Sequence, residues 1–414
     1  MTDGLPEMTK PSADASGSGI PHSYWVWLGG IAVSLFGSQV MLFALGWTAT
    51  ATSGAFAGLV LTASTIPRLA LALIGGAVAD KRGPWSVMVA ADGVMFVVTA
   101  GLAVVIAVVG TPAGLLVAVA VVLGTADAFY TPASSTIPKV LVQDHGLGRA
   151  MAARQVAGQV AGTLGPPLGG VAIAVVGLGG VSVIDSASFG AMLVVLLLLK
   201  RRLPTELAST PESGLLSRAA DGLRLSVRNA TLRPLLLLVA VAAGCLLPVT
   251  SLLVPLMVRE KGWDAAIAGQ IVGGQALGVG LVVLLVLWRN TSGRPGVALA
   301  LGLTLAGVAT NVLAYATNPL AASSAALVIG IGIGIFGSHV APLLLRVTPS
   351  SHLSRVQAVL ILAQAAPLVV SLNVVGALTD ALGSHKLIVA SGVLTTGAGF
   401  AGLVNRRVRT TLRA

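Results

Sequence analysis

Charged side chains are scarce in this sequence: Asp, Glu, Lys and Arg make up 9 % of its 414 residues. Soluble proteins carry about 25 % charged residues, and water cannot solvate a surface with so few of them. Hydrophobic residues account for 55 % of the chain and aromatic residues for only 4 %. These proportions exclude an ordinary soluble protein, so we expect lipid to be the solvent for most of the chain.

Cysteine and histidine are also rare, with one Cys and five scattered His. A single thiol, Cys245, allows no internal disulfide, and the histidines form no metal-ligand cluster. The chain contains no G-x-x-x-x-G-K-[ST] loop, which argues against an ATP-driven pump. We therefore expect no enzymatic activity, no cofactor and no metal site.

Apolar runs long enough to cross a membrane recur along the chain. A helix needs about 20 residues to cross roughly 30 Å of hydrocarbon. Twelve runs meet this length, and glycine, proline or charged clusters separate them. They lie near residues 24–49, 55–79, 87–109, 113–138, 151–176, 180–199, 232–257, 265–288, 296–316, 320–345, 353–379 and 385–404.

The net charge of +11 is explained by where the basic residues lie, so it does not predict a nucleic-acid partner. With both termini on one side, that side receives all but four of the 25 Lys and Arg residues. Arg259, Lys261 and Lys386 fall on the other side, and Arg68 falls within a span. Because basic residues gather on the cytoplasmic side, we expect a multi-pass protein of the cytoplasmic membrane with both termini inside.

The basic residues also divide the chain into two halves. We predict a disordered cytoplasmic tail over 1–22, a six-helix bundle over 23–199 and a second bundle over 232–405. A cytoplasmic linker with an amphipathic helix is predicted over 200–231, because Leu and Ala alternate there with Arg. A basic cytoplasmic tail follows over 406–414.

A faint internal repeat supports this division. Leu147, Arg149 and Gly170 recur with identical spacing as Leu353, Arg355 and Gly376. Both sets begin near a cytoplasmic loop and extend into an odd-numbered helix of their half. We infer a duplicated six-helix unit.

Two short motifs resemble signatures of a known family. The loop after the second run reads Gly-Ala-Val-Ala-Asp-Lys-Arg-Gly, and it includes Gly76, Asp80, Arg82 and Gly83. It resembles the major facilitator superfamily signature G-x-L-A-D-R-x-G-R-[KR], although Pro-Trp replaces the final basic pair. The resemblance implies that Asp80 helps to latch the two halves together on the cytoplasmic side.

The fifth run contains the second motif, Ala161-x-x-x-Gly-Pro-x-x-Gly-Gly, with Gly165, Pro166, Gly169 and Gly170. It resembles the antiporter motif of the same superfamily, in which a Gly-Pro pair lets the helix kink and pack closely. In that superfamily the motif is associated with exporters. Short segments such as Ile66-Pro-Arg68 and Ile184-Asp185-Ser resemble sequences of the macrolide-efflux and enterobactin-exporter branch of the superfamily.

The resemblance implies an all-α membrane protein with twelve helices in two pseudo-symmetric six-helix bundles. It also implies a monomeric secondary transporter that exports amphipathic drugs or secondary metabolites in exchange for protons. An importer and a lysophospholipid flippase of the same fold are alternatives. A membrane scaffold or sensor that transports nothing is a further alternative from a different class.

Three ionisable residues fall inside the predicted spans of the first half, where a charge costs at least about 2.5–3.5 kcal/mol. They are Arg68, Asp127 and Asp185. We expect Arg68 to pair with one of the two acids and one carboxylate to accept the coupling proton; a permanent ion pair that holds helices together is the alternative. Asp92 is expected to be a structural partner of the basic loops.

Uncharged polar residues in the spans are weaker candidates for the cavity. They are Gln159, Gln364, Asn373 and His339. Each could contact substrate, or His339 could titrate near neutral pH. Each could equally bond a neighbouring helix, as most polar residues in membranes do.

Overall fold

Apolar runs of this length become helices because lipid offers no partner for backbone N–H and C=O groups. A computed structural model of the chain describes residues 20–142, 144–200, 232–289, 294–347 and 353–406, and all regular structure in these residues is helical. The predicted N-terminal tail, the 200–231 linker and the C-terminal tail fall almost entirely outside the described residues.

The first bundle begins with four separate helices. They are α1 (His22–Ala49), α2 (Gly54–Arg82), α3 (Pro84–Val109) and α4 (Ala113–Leu141). A continuous stretch, Asp144–Lys200, follows and is broken at Gly177, where φ is 65°. Gly169, before the break, packs against Phe43 near the end of α1, whereas Met192, after the break, packs against Gly30 near its start. The chain therefore reverses at Gly177, and we treat 144–176 as α5 and 178–200 as α6.

The second bundle repeats this arrangement. Its helices are α7 (Leu232–Glu260), α8 (Ala265–Arg289), α9 (Pro295–Ala314) and α10 (Pro319–Val347). The last stretch, Leu353–Val404, is broken at Gly383, where φ is 78°. We treat 353–382 as α11 and 384–404 as α12.

Ten helical stretches in the described residues are long and apolar enough to cross a membrane. Two of them contain a reversal, so the described chain crosses twelve times, as the sequence predicts. Large apolar side chains cover the outside; Val108 and Val175, for example, are each 78 % exposed. Lipid is the solvent that suits such a surface. The predicted fold class is confirmed.

The apolar cores show how the two bundles meet. One core of the first bundle includes Leu252, Leu256, Ala265 and Leu372 of the second bundle. These residues lie near the end of α1 and the start of α2, and we call this end of the molecule the closed end. At the opposite end, where α1 begins, the described residues form one core in each bundle, built from that bundle's own side chains. We call that end the open end.

Glycines make the closest contacts between the bundles at the closed end. Gly58 of α2 lies against Leu372 and Gly376 of α11, and Gly170 of α5 lies against Gly269 of α8. Absent side chains let the backbones of these helices touch. Gly170 and Gly376 are the two glycines of the internal repeat, so the repeat places matching residues at matching interfaces.

Candidate functional site

A cavity of about 450 Å³ lies between the two bundles, directly beside the closed end. Helices α1, α2 and α5 of the first bundle and α7, α8 and α10 of the second form its wall. Its polar lining residues are Gln39, Gln159, Thr163, Thr250, Ser251 and Gln275. None of the described lining residues is charged, and the rest of the wall is mostly apolar. Such a wall offers hydrogen bonds and hydrophobic contact, which together suit an amphipathic molecule.

Helix α7 is locally widened where it lines the cavity. A π-helical turn, Val249–Leu253, follows Pro248, whose ring cannot continue the backbone hydrogen bonds of an α-helix. Thr250 and Ser251 lie in this turn, and both hydroxyls donate to the carbonyl of Leu247, at 3.1 Å and 2.9 Å. Their oxygens can still accept hydrogen bonds from a molecule in the cavity.

The predicted antiporter motif lies on α5 at the edge of the same cavity. Pro166 lines it. Gly165 packs against Gln39 of α1, Gly169 packs against Phe43, and Gly170 touches α8 across the interface. The motif therefore fits α5 between α1 of its own bundle and α8 of the other.

Arg68 and Asp127 form an ion pair between α2 and α4. The distance from Arg68 Nε to Asp127 Oδ2 is 2.9 Å, and Thr131 donates a hydrogen bond of 2.8 Å to Asp127 Oδ1. The Arg68 side chain is 60 % exposed and that of Asp127 is 34 % exposed. Arg68 follows the cavity residue Leu61 by two helical turns on the same face, so the pair lies toward the open end from the cavity.

Asp185, the alternative partner of Arg68, lies elsewhere. It is 1 % exposed on α6, and a side chain at Gly37 of α1 would collide with its carboxylate. Its carboxylate oxygens have no hydrogen-bond partner among the described residues. The structure thus brings Arg68 together with Asp127 and leaves Asp185 buried between α1 and α6, outside the lining of the cavity.

The uncharged candidates are scattered. Gln159 lines the cavity. Asn373 donates a hydrogen bond of 2.8 Å to Thr62 and so joins α11 to α2 across the interface. His339 is buried, and its Nδ1 pairs with the carbonyl of Ile335 at 2.8 Å. Gln364 is exposed on α11, which contributes no residue to the described lining of the cavity.

The α2–α3 motif lies at the open end. Gly76 faces Pro132 of α4, and Gly83 ends α2 with a φ of 83°, a value that favours glycine. Asp80 is partly buried and Arg82 is exposed. The expected latch between the halves by Asp80 remains a prediction; the apolar cores that the described residues form at this end are separate.

Sequence reasoning missed most of the cavity. Gln39, Thr163, Thr250 and Ser251 were not candidates, and Gln275 was only one of many polar residues in the spans. Their common feature is that they lie on four different helices, α1, α5, α7 and α8, and line the same cavity. A comparison of polar positions at equal depth in successive spans could have found them.

A second, larger groove of about 680 Å³ lies between α9 and α12. Its lining includes Val312, Tyr315 and Phe400, which are all exposed on the outer face of the second bundle. This groove faces lipid and not the interface. We therefore assign the functional role to the central cavity.

Comparison with known proteins agrees with this architecture. Residues 27–372 match the sequence profile of the Major Facilitator Superfamily, which is most of the chain. The chain belongs to this superfamily: it is a multi-pass membrane transporter and not an enzyme. Both predictions are confirmed.

A named relative and several solved structures are similar over nearly the whole chain. The multidrug efflux pump Tap of Mycolicibacterium fortuitum is 28 % identical over 381 residues, which cover 86 % of this chain and 88 % of Tap. A bacterial homologue of the human lysosomal transporter Spinster, in an inward-facing and unoccupied conformation, gives a TM-score of 0.72 at 15 % identity, covering 94 % and 97 % of the two chains. The nucleoside transporter NupG gives 0.69 at 13 % identity, covering 92 % and 98 %. At such identities the two structures show a shared fold.

Proposed function

We propose that this transporter exports amphipathic small molecules by alternating access, in exchange for protons. The observation that carries the proposal is the amphipathic cavity between the two bundles, whose described lining is uncharged and which lies beside the contacts of Gly58 and Gly170 that join the bundles. Binding of a molecule there would favour closure of the open end and separation of the closed end.

The distribution of basic residues supports an orientation in the membrane. Lys81, Arg82, Lys139 and Arg149 lie at the open end, whereas Arg259 and Lys261 lie at the closed end. The positive-inside rule therefore makes the open end cytoplasmic, with both termini inside. In this conformation the cavity would exchange molecules with the cytoplasm, as in the loading step of an exporter or the release step of an importer. The antiporter motif on α5 and the likeness to Tap are what support export.

Proton coupling is proposed to use the ionisable groups of the first bundle. Asp127 is partly exposed beside Arg68, while Asp185 is buried beside Ser188 and Gly37. A proton on Asp127 would release Arg68, because the pair needs an ionised carboxylate. Protonation and ion pairing then exclude one another at this position.

The test is transport in everted membrane vesicles that contain the wild-type protein or a single variant. We expect a proton gradient to drive uptake of ethidium or erythromycin, and we expect Asp127→Asn and Asp185→Asn to reduce gradient-driven uptake by about tenfold or more, which corresponds to roughly 1.4 kcal/mol. Gln159→Leu tests the cavity separately: it should weaken binding of both compounds without changing their dependence on the gradient.

Other outcomes would contradict parts of this proposal or favour a different transport function. Uptake of neither compound, with no change in tolerance across a broad panel of antibiotics on expression, would remove the drug-export proposal. Movement of a lysophospholipid that depends on its headgroup would favour a flippase, and movement toward the cytoplasm would favour an importer. Full activity of both Asp variants would show that neither acid carries the proton.

A further inference from the structure

The groove on the outside of the second bundle spans one leaflet of the membrane. Along α9 it extends from Thr304 to Tyr315, a distance of roughly 16 Å at 1.5 Å per residue. The hydrocarbon layer is about 30 Å thick, so the groove covers about half of it. Thr304 lies in the middle of α9, and Tyr315 follows its last residue, beside the start of α12 at the closed end. The groove therefore runs from the centre of the membrane to its surface at the closed end.

The groove has a narrow floor because α9 and α12 touch through small residues. A side chain at Gly307 would collide with Thr396, and one at Gly399 would collide with Thr304. Such close backbone contact leaves the larger side chains standing on either side of the floor. Those that line the groove are each at least 48 % exposed, and they are Val308, Val312, Tyr315, Val393 and Phe400.

The polar side chains of the lining already have hydrogen bonds within their own helices. Thr304, Asn311 and Thr396 each donate to the backbone carbonyl four residues earlier, at 2.9, 3.0 and 2.8 Å. These donors need no partner from an occupant, so a hydrocarbon chain can cover them at little cost. The groove thus suits an elongated, apolar occupant better than a polar one.

Aromatic and basic side chains surround the groove at the closed end. The Tyr315 ring meets the His385 ring edge to face, with centroids 4.8 Å apart, and His385 Nδ1 pairs with the carbonyl of Ala314 at 3.0 Å. These contacts hold the start of α12 beside the end of α9. Lys386 is next in the chain and is exposed. It precedes Val393 by seven residues, or two helical turns, and therefore lies on the face of α12 that lines the groove.

Lys386 differs from the other basic residues that the sequence places at this end of the molecule. Arg259 bonds the Trp47 carbonyl of the first bundle, and Lys261 lies over the ring of Trp263. Lys386 has no ion-pair or hydrogen-bond partner among the described residues. Its charge is therefore available to a ligand from outside the protein.

Glu260 comes close to the start of α12 without neutralising this lysine. Its carboxylate accepts a hydrogen bond of 3.0 Å from the backbone N–H of Ser384 and another from the Ser384 hydroxyl, so it caps α12. No ion pair joins it to Lys386 in the part of the chain that the structure describes. Among other ionisable side chains without a described partner, Asp92 is buried inside the first bundle and not beside the basic loops, as the sequence predicted, so it is closed to a ligand.

We propose that the groove between α9 and α12 binds an anionic phospholipid, with an acyl chain in the groove and the phosphate beside Lys386. A lysine ammonium binds phosphate oxygens, and an anionic headgroup adds no cation to repel it. A second copy of the chain is a poorer occupant, because a two-fold contact through this face would bring two unpaired lysines together. This inference does not depend on export or on protons; the orientation proposed above places the lipid in the outer leaflet.

Photocrosslinking in nanodiscs tests the groove. The purified protein is reconstituted in phosphatidylcholine with a small fraction of phosphatidylglycerol that carries a diazirine on an acyl chain, and mass spectrometry identifies the labelled peptides. We expect label in the peptides that contain residues 304–315 and 393–400. Gly397→Leu places a side chain in the groove, where a Cβ meets no atom within 4 Å, so we expect this labelling to fall by about tenfold. Gly280→Leu is the matched control, because Gly280 of α8 is equally uncrowded and lies outside the lining of the groove.

The same assay tests the headgroup. The measured quantity is the ratio of labelling by phosphatidylglycerol to labelling by phosphatidylcholine with the same photoreactive chain. Lys386→Gln should lower this ratio by about fivefold, and Lys386→Arg should keep it. Lys261→Gln is the matched control, since Lys261 lies over Trp263 and away from the groove lining.

Three results would overturn the proposal. Equal labelling of Gly397→Leu and the wild type would show that the acyl chain binds elsewhere. An unchanged headgroup ratio in Lys386→Gln would remove the anionic phospholipid as the class of ligand. Disulfide-linked dimers of Gly397→Cys, in a protein that also carries Cys245→Ser, would identify a second copy as the occupant if they form equally with and without phosphatidylglycerol.

Discussion

The two bundles present different kinds of residue to each other at the two ends of the molecule. At the closed end, the bundles touch through glycine backbones at Gly58 and Gly170, and their apolar cores merge. At the open end, the same helices expose polar side chains such as Arg68 and Gln159. Contact between the bundles at the closed end therefore depends on close backbone packing, with a few polar bonds at its rim.

Those rim bonds join the ends of four helices, α1, α2, α7 and α11. Arg259 at the end of α7 donates to the Thr50 hydroxyl and to the Trp47 carbonyl, each at 3.0 Å, and its guanidinium lies 4.5 Å from the centre of the Trp47 ring. Asp380 of α11 accepts a hydrogen bond of 3.3 Å from the backbone N–H of Gly54. The comparison suggests an order of importance: backbone contact first, the arginine second and the aspartate third.

Enlarging Gly58 should have the largest effect. A side chain there would overlap the carbonyl of Leu372, which is backbone and cannot move aside. Overpacking of this kind costs roughly 1–3 kcal/mol or more, so we expect Gly58→Leu to lower transport by about tenfold to 100-fold. The loss would arise because the closed end cannot form.

Disulfide formation checks this explanation. Cysteines at Thr62 and Asn373, whose side chains now share a hydrogen bond, should crosslink in an otherwise cysteine-free protein and fail to do so when Gly58→Leu is added. Gly29→Leu is the control, since a Cβ placed there meets no neighbouring helix within 4 Å. Efficient crosslinking in the Gly58→Leu protein would show that the backbone contact is dispensable.

Removing the arginine should have an intermediate effect. Arg259→Gln loses charge-assisted bonds and a cation–π contact, together worth about 1–3 kcal/mol. We expect the population with a separated closed end to rise by about tenfold, measured as the alkylation rate of a cysteine at Thr62, which is buried in this structure. Lys261→Gln is the matched control, because Lys261 lies over Trp263 of its own bundle. Equal rates in both variants would assign the effect to net charge alone.

The sequence predicted the membrane spans well because each span is a mostly apolar run of limited length. Every predicted span overlaps a helix and ends within several residues of it, including the two reversals at Gly177 and Gly383. Runs of this kind are set by the thickness of the bilayer, which is the same for all helices.

The partners of the ionisable residues could be predicted only in part. A mid-membrane Arg68 needs an acid, but the choice between Asp127 and Asp185 depends on which helix packs against α2. That choice is made by Gly75 and Gly124, which bring α2 and α4 into backbone contact. Their role cannot be distinguished in a sequence with 51 glycines.

The cavity was the hardest part to predict, because its polar residues are uncharged and few. Gln159 and Gln364 look alike in the sequence, yet only Gln159 is among the described residues that line the cavity. The two side chains differ in the direction that they face, and that direction depends on the rotation of each helix within its bundle. Hydropathy carries almost no information about that rotation when a helix is apolar on every side.

The smallest expected effect concerns Asp380. It precedes Gly383 by the same spacing that separates Asp80 from Gly83, so the C-terminal ends of α2 and α11 carry matching acids. Asp380 lies at the N-terminus of α2 in the opposite bundle, where a negative charge contributes about 0.3–1 kcal/mol. We therefore expect Asp80 to meet the N-terminus of α11 when the open end closes.

Asp380→Asn keeps a hydrogen-bond acceptor and removes the charge, so the closed end should separate only about two- to fivefold more often, by the same alkylation assay. The increase should shrink in high salt, which screens a charge at a helix terminus. Asp264→Asn is the matched control: Asp264 accepts a bond of 3.0 Å from Ile267 at the start of α8, within its own bundle, and Asn caps a helix equally well. A salt-independent increase would mean that Asp380 acts through packing and not through its charge, and the matching role expected for Asp80 would lose its physical basis.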